Sequence, residues 1–299
     1  MPKSFDEIFK GTDDAIEDII SHTEKKLHFG MRKIAKSVLK SSASLVDDGV
    51  LSGTLQDAQK VQQEFINDSQ PFIEEMIASN QKALSEIESA IDAEMKATGL
   101  KQYDDVSLEV LKDQIEVGFN AVIGESMRQV GELMYDAVLT GMSYDSFVEE
   151  FESILGPDTD PDFFIRNAQM NFYQSTHIRK AELAGLDEFL YYGNVMATSR
   201  AWCIVRVGQV FTKAQINSWN GDSWKGKSCS PMICRGGYNC RHHWRPVRKK
   251  WLTDGRIKPR SIFTERPEEM TEGLKKDIRK EATVLGKSTV AELNVFFPP

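Results

Sequence analysis

Cysteine and histidine are concentrated in one part of the chain. The four cysteines are confined to 38 residues, at Cys203, Cys229, Cys234 and Cys240, and His242 and His243 follow them. Thiolates and imidazoles are the usual ligands of structural zinc. In an extended segment Cys240 and His242 would point to the same side, because side chains alternate along a strand. These residue types suit a structural zinc site made of Cys203, Cys240 and His242, with Cys229 or Cys234 as a further ligand.

The spacing of the cysteines does not follow a common zinc motif. No Cys-x2-Cys pair occurs, since four residues separate Cys229 from Cys234 and five separate Cys234 from Cys240. Ligand spacing is what makes a zinc assignment specific, so buried thiols or a disulfide between Cys203 and Cys240 together outweigh the metal site. A reducing cytoplasm disfavours the disulfide, and oxidising surroundings outside the cell would allow it.

A basic segment follows the cysteines and suits contact with nucleic acid. Residues 241–260 hold eight Lys and Arg against one Asp. Such cations can neutralise phosphates, and an indole among them can stack on a base. The candidate DNA-binding residues are Arg241, Trp244, Arg245, Arg248, Lys249 and Lys250. A solvated basic face, or one that pairs with an acidic neighbouring subunit, explains the same charges equally well.

The charge of the chain changes sign between its two halves. Residues 1–160 carry 14 Lys and Arg against 32 Asp and Glu, a net charge of -18, and residues 161–299 carry 23 against 13, a net charge of +10. A reversal of this size predicts two modules with different surroundings. Phosphates would be repelled by the acidic half, so any contact with DNA is expected from the basic half.

The acidic half shows the apolar spacing of amphipathic helices. Residues 4–40 predict a helix that Gly-Thr-Asp-Asp at 11–14 could divide in two. Another helix begins near Thr54 and is predicted to stop before Pro71, which would open a fresh helix ending at Gly99. Residues 107–140 predict one more. We identify no paired catalytic groups in residues 1–155, and we interpret them as a helical assembly or docking region.

The basic half predicts a compact α+β domain over residues 156–265, with a C-terminal helix and tail over 266–299. The whole chain is therefore predicted to be α+β, with a long, mainly helical N-terminal region and a small mixed domain after it. The predicted elements of that domain are a helix from Pro161 to Ala184 ended by Gly185, strands over 188–196 and 203–211, and a short helix to Trp219 capped by Thr212.

Residues 202–247 resemble the C-terminal domain of the phage Mu F-like minor head proteins. In that family an aromatic-Cys pair precedes a Gly-x-Val-aromatic-Thr strand, and a Gly-Gly-aromatic-Asn-Cys-Arg-His-x-Trp-x-Pro-Val segment follows. The corresponding residues are Trp202-Cys203, Gly208-Gln209-Val210-Phe211-Thr212 and Gly236-Gly237-Tyr238-Asn239-Cys240-Arg241-His242-His243-Trp244-Arg245-Pro246-Val247. The likeness covers roughly residues 160–250 and leaves 1–155 unmatched. The chain departs from the family at Gln174-Ser175-Thr176, and Cys229 and Cys234 are additional to its two cysteines.

This resemblance implies a minor structural protein of a tailed-phage head and not an enzyme. It implies a place in the virion near the portal or the inner capsid wall, in multiple copies, and a role in head morphogenesis, DNA packaging or DNA ejection. The expected partners are the portal protein, the major capsid protein and packaged double-stranded DNA. Apolar runs fall short of the ~18–20 residues that a membrane span needs, and the first residues lack a secretory signal, so assembly in the host cytoplasm is expected.

Two other functions compete with this one. An HNH-like, metal-dependent nuclease could use His177, His242 or His243 as its general base with Cys240 as a ligand. That hypothesis lacks a recognisable frame of paired ligands and an identifiable acid–base pair. A generic nucleic-acid-binding module would use residues 241–260 and would show a strong dependence of affinity on salt.

Overall fold

The computed structural model describes residues 4–100, 106–155, 161–196, 198–227, 229–237, 240–257 and 271–285. The chain forms two compact units. Residues Asp13–Ala90 and Asp105–Phe172 form the first, called the helical unit, and residues Met1–Thr12, Ile91–Asp104 and Tyr173–Pro299 form the second, called the mixed unit. Long helices with a small sheet confirm the predicted α+β class.

Five helices account for most of the first 183 residues. They are α1 (Phe5–Ser42), α2 (Leu55–Ala97), α3 (Val106–Thr140), α4 (Tyr144–Leu155) and α5 (Pro161–Leu183). Their positions confirm the helices predicted for the acidic half and the helix predicted to start at Pro161. The predicted breaks at residues 11–14 and at Pro71 are wrong, because α1 and α2 run through them without interruption.

The apolar stripes explain why both helices continue. In α1 the hydroxyl of Thr12 donates to the Ile8 carbonyl one turn back, a bond made inside a helix and not at an N-cap. In α2 the buried side chains of Phe65 and Met76 lie on the same face on either side of Pro71, whose own ring is exposed. Burial of such side chains, each contributing about 1.5–3 kcal/mol, outweighs the helix-breaking tendency of one proline.

The helical unit is built on the apolar faces of its helices. Its core contains Phe119 of α3 and Phe147 and Phe151 of α4, with each side chain almost completely buried. On its surface the Arg166 guanidinium of α5 forms ion pairs with Glu17 and Glu24 of α1. None of the described helices has both the length and the hydrophobicity that a membrane span would need.

A small hairpin that we did not predict joins α1 to α2. Strand β1 (Val46–Asp47) pairs antiparallel with β2 (Val50–Leu51). Asp48 and Gly49 form the turn with φ angles of 47° and 77°. An Asp-Gly pair is a preferred sequence for a two-residue hairpin turn with both residues at positive φ. This dipeptide is therefore the signal from which the hairpin could have been found.

The mixed unit is built around a three-stranded antiparallel sheet in the order β4-β3-β5. The strands are β3 (Glu188–Tyr192), β4 (Val210–Thr212) and β5 (His243–Val247). In the central strand, Tyr191 lies opposite Trp244 of β5 and Phe189 lies opposite Phe211 of β4. The outer edge of β5 is covered by α5, because the Gln174 side chain accepts from the Trp244 N–H and donates to its carbonyl.

The predicted strand over residues 203–211 is wrong in its first part. Residues 203–204 belong to helix α6 (Ala201–Ile204), residues 205–208 form turns, and only Val210–Thr212 is a strand. All four α6 side chains are buried, so the segment shows neither the alternation of a strand nor the stripe of a helix. The predicted strand over 188–196 is correct as far as Tyr192.

Short helices complete the mixed unit. They are α7 (Lys213–Ser218), α8 (Pro231–Cys234), α9 (Lys249–Thr253) and α10 (Glu272–Val284). The predicted cap of α7 is confirmed, since Thr212 and Gln215 form a reciprocal capping box. Helix α10 lies within the predicted C-terminal helix and tail.

The compact units differ from the predicted division into residues 1–155, 156–265 and 266–299. The mixed unit also takes the first turns of α1 and the end of α2. The first turns of α1 belong to the mixed unit because Phe5 and Phe9 pack on its aromatic side chains. The ring centroids of Phe5 and Trp251 are 4.6 Å apart, and those of Phe9 and Tyr192 are 5.6 Å apart. Phe9, which is buried, and Phe5, which is half-buried, therefore pack against β3 and α9.

Candidate functional site

Three segments of the mixed unit bring cysteine, histidine and tyrosine together. The central strand contributes Tyr191, α6 contributes Cys203, and the segment that leads into β5 contributes Cys240 and His242. All four side chains are buried. The first three predicted metal ligands therefore converge, and Tyr191, which no sequence pattern singles out, joins them. These four residues are called the thiol cluster below.

The donor atoms of the thiol cluster lie within a few ångströms of one another. The two Sγ atoms are 3.8 Å apart, and Cys240 Sγ lies 3.5 Å from His242 Nδ1. The Tyr191 hydroxyl is 3.4 Å from each sulfur. Ligand atoms of Cys203, Cys240 and His242 all fall within 4.8 Å of each other. This spacing allows a single ion to contact all of them.

The two thiols differ in their protonation. Burial raises the pKa of Cys203 well above its ordinary value, and Cys240 beside it adds to that effect. Burial would raise the pKa of Cys240 too, but contacts with Cys203 and His242 and the charge of Arg235 hold it well below the usual range. The pair therefore favours one thiolate, on Cys240, next to one thiol.

Gly236 gives the thiol cluster its space. A Cβ atom at this position would lie 2.1 Å from Cys203 Sγ, 3.2 Å from Cys240 Sγ and 3.4 Å from the Tyr191 hydroxyl. The Gly236 N–H donates to Cys240 Sγ at 3.3 Å. Only glycine lets the backbone approach this closely. The Gly236 backbone thus forms one wall of the cluster.

Cys229 and Cys234 are not available as further ligands, which corrects that part of the zinc prediction. They form a disulfide with each other, and their Cα atoms are 5.6 Å apart. The turn that leads into α8 brings them this close. Cys203 and Cys240 are free thiols, so the alternative Cys203–Cys240 disulfide is not formed in this structure.

Two of the six predicted DNA-binding residues are inaccessible, which corrects the prediction for Trp244 and Arg245. Trp244 packs with Tyr191, Trp202 and Trp219, and its indole N–H donates to the Pro231 carbonyl. All five residues of β5 are buried, so alternation along the strand does not expose any of them. The four exposed candidates are Arg241, Arg248, Lys249 and Lys250. Residues 258–260 lie outside the described residues.

Arg245 belongs to a buried ionic network that we did not predict from the sequence. Its guanidinium donates to Glu94 Oε2 at 2.6 Å, to the Phe9 carbonyl and toward His177 Nε2 at 3.3 Å. Nearby, Lys180 pairs with Asp92. The sequence feature that could have indicated this network is Glu94, a charged residue that stands three residues after Ile91 on the buried face of α2.

His177 is neutral in this network. Burial, and then the charges of Arg245 and Lys180, hold its pKa well below the ordinary value. Glu94 Oε1 lies 3.7 Å away and would favour the charged form, but Arg245 is closer to the imidazole and pairs with Glu94 itself. The histidine therefore accepts from the guanidinium and carries no charge.

A second buried arginine supports the aromatic core. The Arg206 guanidinium lies 4.2 Å from the ring centre of Trp202 and 4.4 Å from that of Trp219. It also donates to Glu281 Oε2 of α10 at 3.0 Å. The cation–π contacts and the ion pair thus compensate the charge of the buried Arg206 guanidinium, and the ion pair attaches α10 to the mixed unit.

No family model, characterised protein or solved structure matches the chain. The function of the chain is therefore inferred from its own residues. What the geometry offers is a closed cluster of soft ligands and a strip of exposed cations. The three histidines considered for nuclease chemistry are buried, with 2% of His177, 4% of His242 and 5% of His243 exposed.

Proposed function

We propose that the chain is a minor structural protein of a tailed-phage head, near the portal or the inner capsid wall. The observation that carries the proposal is the ordered run of unusual residues from Trp202 to Val247 that resembles the Mu F-like minor head proteins. Under this proposal the protein acts in head assembly, DNA packaging or DNA delivery, and the virion head is its final location.

The surroundings of the motif residues agree with a structural role. Trp202 and Trp244 are packed in the aromatic core, and Gly236 is the close-approach position beside Cys240. A general base must reach its substrate, and the buried histidines would need a rearrangement to do so. Packing explains why such residues recur together, and this favours a structural protein over the HNH-like nuclease.

Helix α3 offers a surface for a partner subunit. Val110 and Val117 are 51% and 68% exposed, and Gly124 continues the same seven-residue spacing. Residues seven apart lie on one face of a helix, so these positions form an apolar strip open to solvent. We propose that this strip docks on the portal or the major capsid protein.

The exposed cations are the proposed contact with packaged DNA. Arg248, Lys249 and Lys250 are consecutive and exposed. Alanine at all three positions is expected to weaken binding of duplex DNA by the purified chain. The salt slope should fall by roughly 0.9 for each phosphate that is no longer neutralised. An unchanged slope would remove these residues from the proposal.

Quantitative mass spectrometry of purified virions and empty proheads tests the main proposal. The chain is expected in virions, in proheads or in both. Its copy number per particle should be comparable with that of the portal protein and far below that of the major capsid protein. A difference between proheads and virions would identify the stage at which it acts. Absence from both particles would overturn the proposal.

A pair of variants tests the docking strip separately. Val117→Glu places a charge on the strip and is expected to reduce incorporation into particles without changing the helical content of the purified chain. Gln129→Glu adds the same charge at an exposed position of the same helix, about 120° round the helix axis from Val117 and so outside the strip, and is expected to incorporate normally. Equal incorporation of the two variants would show that the strip is not the docking surface.

A further inference from the structure

We propose that the thiol cluster binds a zinc ion through Cys203, Cys240, His242 and the Tyr191 oxygen. The inference is independent of the proposed function, because it rests only on the positions of these four side chains. The site would be structural, since all four side chains are buried.

The spacing of the donor atoms fits a tetrahedral zinc ion. A tetrahedral zinc ion with Zn–S bonds of about 2.3 Å and Zn–N or Zn–O bonds of about 2.0 Å holds two sulfurs about 3.8 Å apart. It holds a sulfur and a nitrogen or oxygen about 3.5 Å apart. The cluster has 3.8 Å between sulfurs, 3.5 Å from Cys240 Sγ to His242 Nδ1, and 3.4 Å from the tyrosine oxygen to each sulfur. Each of these distances also suits a hydrogen bond, but ligand atoms of Cys203, Cys240 and His242 all lie within 4.8 Å of one another, as the ligands of a single ion do.

The backbone of Gly236 leaves room for an ion beside the sulfurs. A side chain there would fill the space between the two sulfurs and the tyrosine oxygen. The Gly236 N–H already donates to Cys240 Sγ, as an outer-shell donor does to a bound thiolate. The backbone therefore keeps the centre of the cluster clear and supports one of the proposed ligands.

The charges of the cluster also favour a bound cation. A buried thiolate is costly unless a positive charge compensates it. Zinc with two thiolates, one neutral imidazole and the Tyr191 phenolate carries one negative charge, and the buried Arg235 guanidinium, which interacts with Cys240, Tyr191 and Cys203, offsets it. On binding, any proton still held by Cys203, Cys240 or Tyr191 passes to solvent, and the two sulfurs and the phenolate oxygen coordinate the ion without oxidation or reduction.

Such an ion would link three segments of the mixed unit. It would tie β3 through Tyr191 to α6 through Cys203 and to the segment entering β5 through Cys240 and His242. The Cys229–Cys234 disulfide lies within the intervening loop and closes only a short part of it. Zinc would thus stabilise a connection that the disulfide does not make.

Metal analysis of the full chain tests the proposal. The chain purified without chelators is expected to contain about one zinc ion per molecule by elemental mass spectrometry. Replacement of zinc by Co²⁺ should give the intense absorption of a tetrahedral cobalt–thiolate centre. The Cys240→Ser and His242→Gln variants are expected to lose the ion. A variant with both Cys229→Ser and Cys234→Ser is the matched control and should retain it.

The wild-type chain keeps the test decisive even if the ligand variants fail to fold. Folded wild-type protein with Cys203 and Cys240 reduced must take up zinc or cobalt, and failure to bind either metal would overturn the proposal. Tyr191→Phe is expected to weaken zinc binding at least about tenfold in competition with a chelator. Unchanged affinity in that variant would overturn the assignment of Tyr191 as a ligand.

Discussion

The buried ion pair between Glu94 and Arg245 is expected to contribute strongly to the stability of the mixed unit. The two side chains are 4% and 0% exposed. Glu94→Gln leaves the guanidinium buried without its counter-charge, and we expect a loss of about 3–5 kcal/mol in the free energy of unfolding. All five tryptophans lie in the mixed unit, so urea unfolding followed by tryptophan fluorescence measures its stability directly.

An exposed pair in the same unit provides the control for that measurement. Glu272 of α10 pairs with Lys275, and its side chain is 82% exposed. Glu272→Gln is expected to leave the unfolding midpoint nearly unchanged, because water replaces the lost interaction. If Glu94→Gln were as mild as this control, Arg245 would not depend on Glu94 for its burial.

His177 makes the stability of the mixed unit sensitive to acid. Its pKa is held below the ordinary value in the folded chain by burial and by Arg245 and Lys180. Below about pH 6.5 the unfolded chain therefore binds a proton that the folded chain does not, so stability is complete above that pH and falls as the pH is lowered. The expected loss is up to about 1.4 kcal/mol per pH unit until the folded pKa is reached.

The His177→Gln variant isolates this contribution. Glutamine is neutral at every pH used, so stability measured between pH 7 and pH 5 is expected to fall less steeply than in the wild type. Parallel curves for the two proteins would mean that His177 is protonated equally in the folded and unfolded chains.

For single residues, the sequence predicted which side chains could bind a metal better than it predicted which side chains are exposed. Cys203, Cys240 and His242 were predicted as a group, because soft ligands are rare enough to select by type. Trp244 and Arg245 were misplaced, since a strand buried on both faces cannot be distinguished by composition from a half-exposed one. Tyr191 gave no signal, because its approach to the sulfurs depends on the pairing of β3 with β5.

Helix α2 continues through a proline because the apolar face of the helix is buried in the core of the helical unit. It includes Pro71, which lacks the N–H that would donate to the Asn67 carbonyl and is exposed. Pro71→Ala restores a donor and is expected to stabilise the helical unit by up to about 3 kcal/mol. Thermal unfolding followed by circular dichroism measures the change.

The neighbouring residue supplies a control for the proline variant. Gln70 is also exposed and already has an N–H, so Gln70→Ala is expected to change stability much less. A Pro71→Ala variant no more stable than Gln70→Ala would show that α2 bends at this point to make interactions that a regular helix would lose.

At the element scale, long helices were predictable and short elements were not. Over 35 residues of α3 or 38 of α1, periodic apolar positions outweigh any single Gly or Pro. The four residues of α6 are too few to show a period, and their complete burial removes the contrast between faces. Thr212 was recognised because a capping residue acts locally and needs no tertiary context.

For the whole molecule, the mixed unit depends on residues far from it in the chain. Phe9 is 2% exposed and contacts Tyr192. Phe9→Ala is expected to cost about 3–5 kcal/mol of unfolding free energy by tryptophan fluorescence. Phe29 on the same helix is 55% exposed, and Phe29→Ala is the matched control with little expected effect. Similar midpoints for the two variants would mean that the first turns of α1 are not needed by the mixed unit.

The division of the chain could not have been read from charge alone. The sign reversal near residue 160 marks a change in surface, whereas compact units are defined by which apolar side chains meet. Phe5, Phe9 and Glu94 belong by sequence to the acidic half, and their partners Trp251, Tyr192 and Arg245 belong to the basic half. Long-range pairing of this kind leaves no local pattern.

The bond from Arg245 to the Phe9 carbonyl joins positions 236 residues apart. On a ribosome that adds about 5–20 residues per second, Phe9 emerges roughly 10–50 s before its partner. The helical unit ends at Phe172, so it can fold while residues 173–299 are still being made. The mixed unit therefore closes last, because Phe5 and Phe9 must wait for Tyr192, Arg245 and Trp251 to be synthesised.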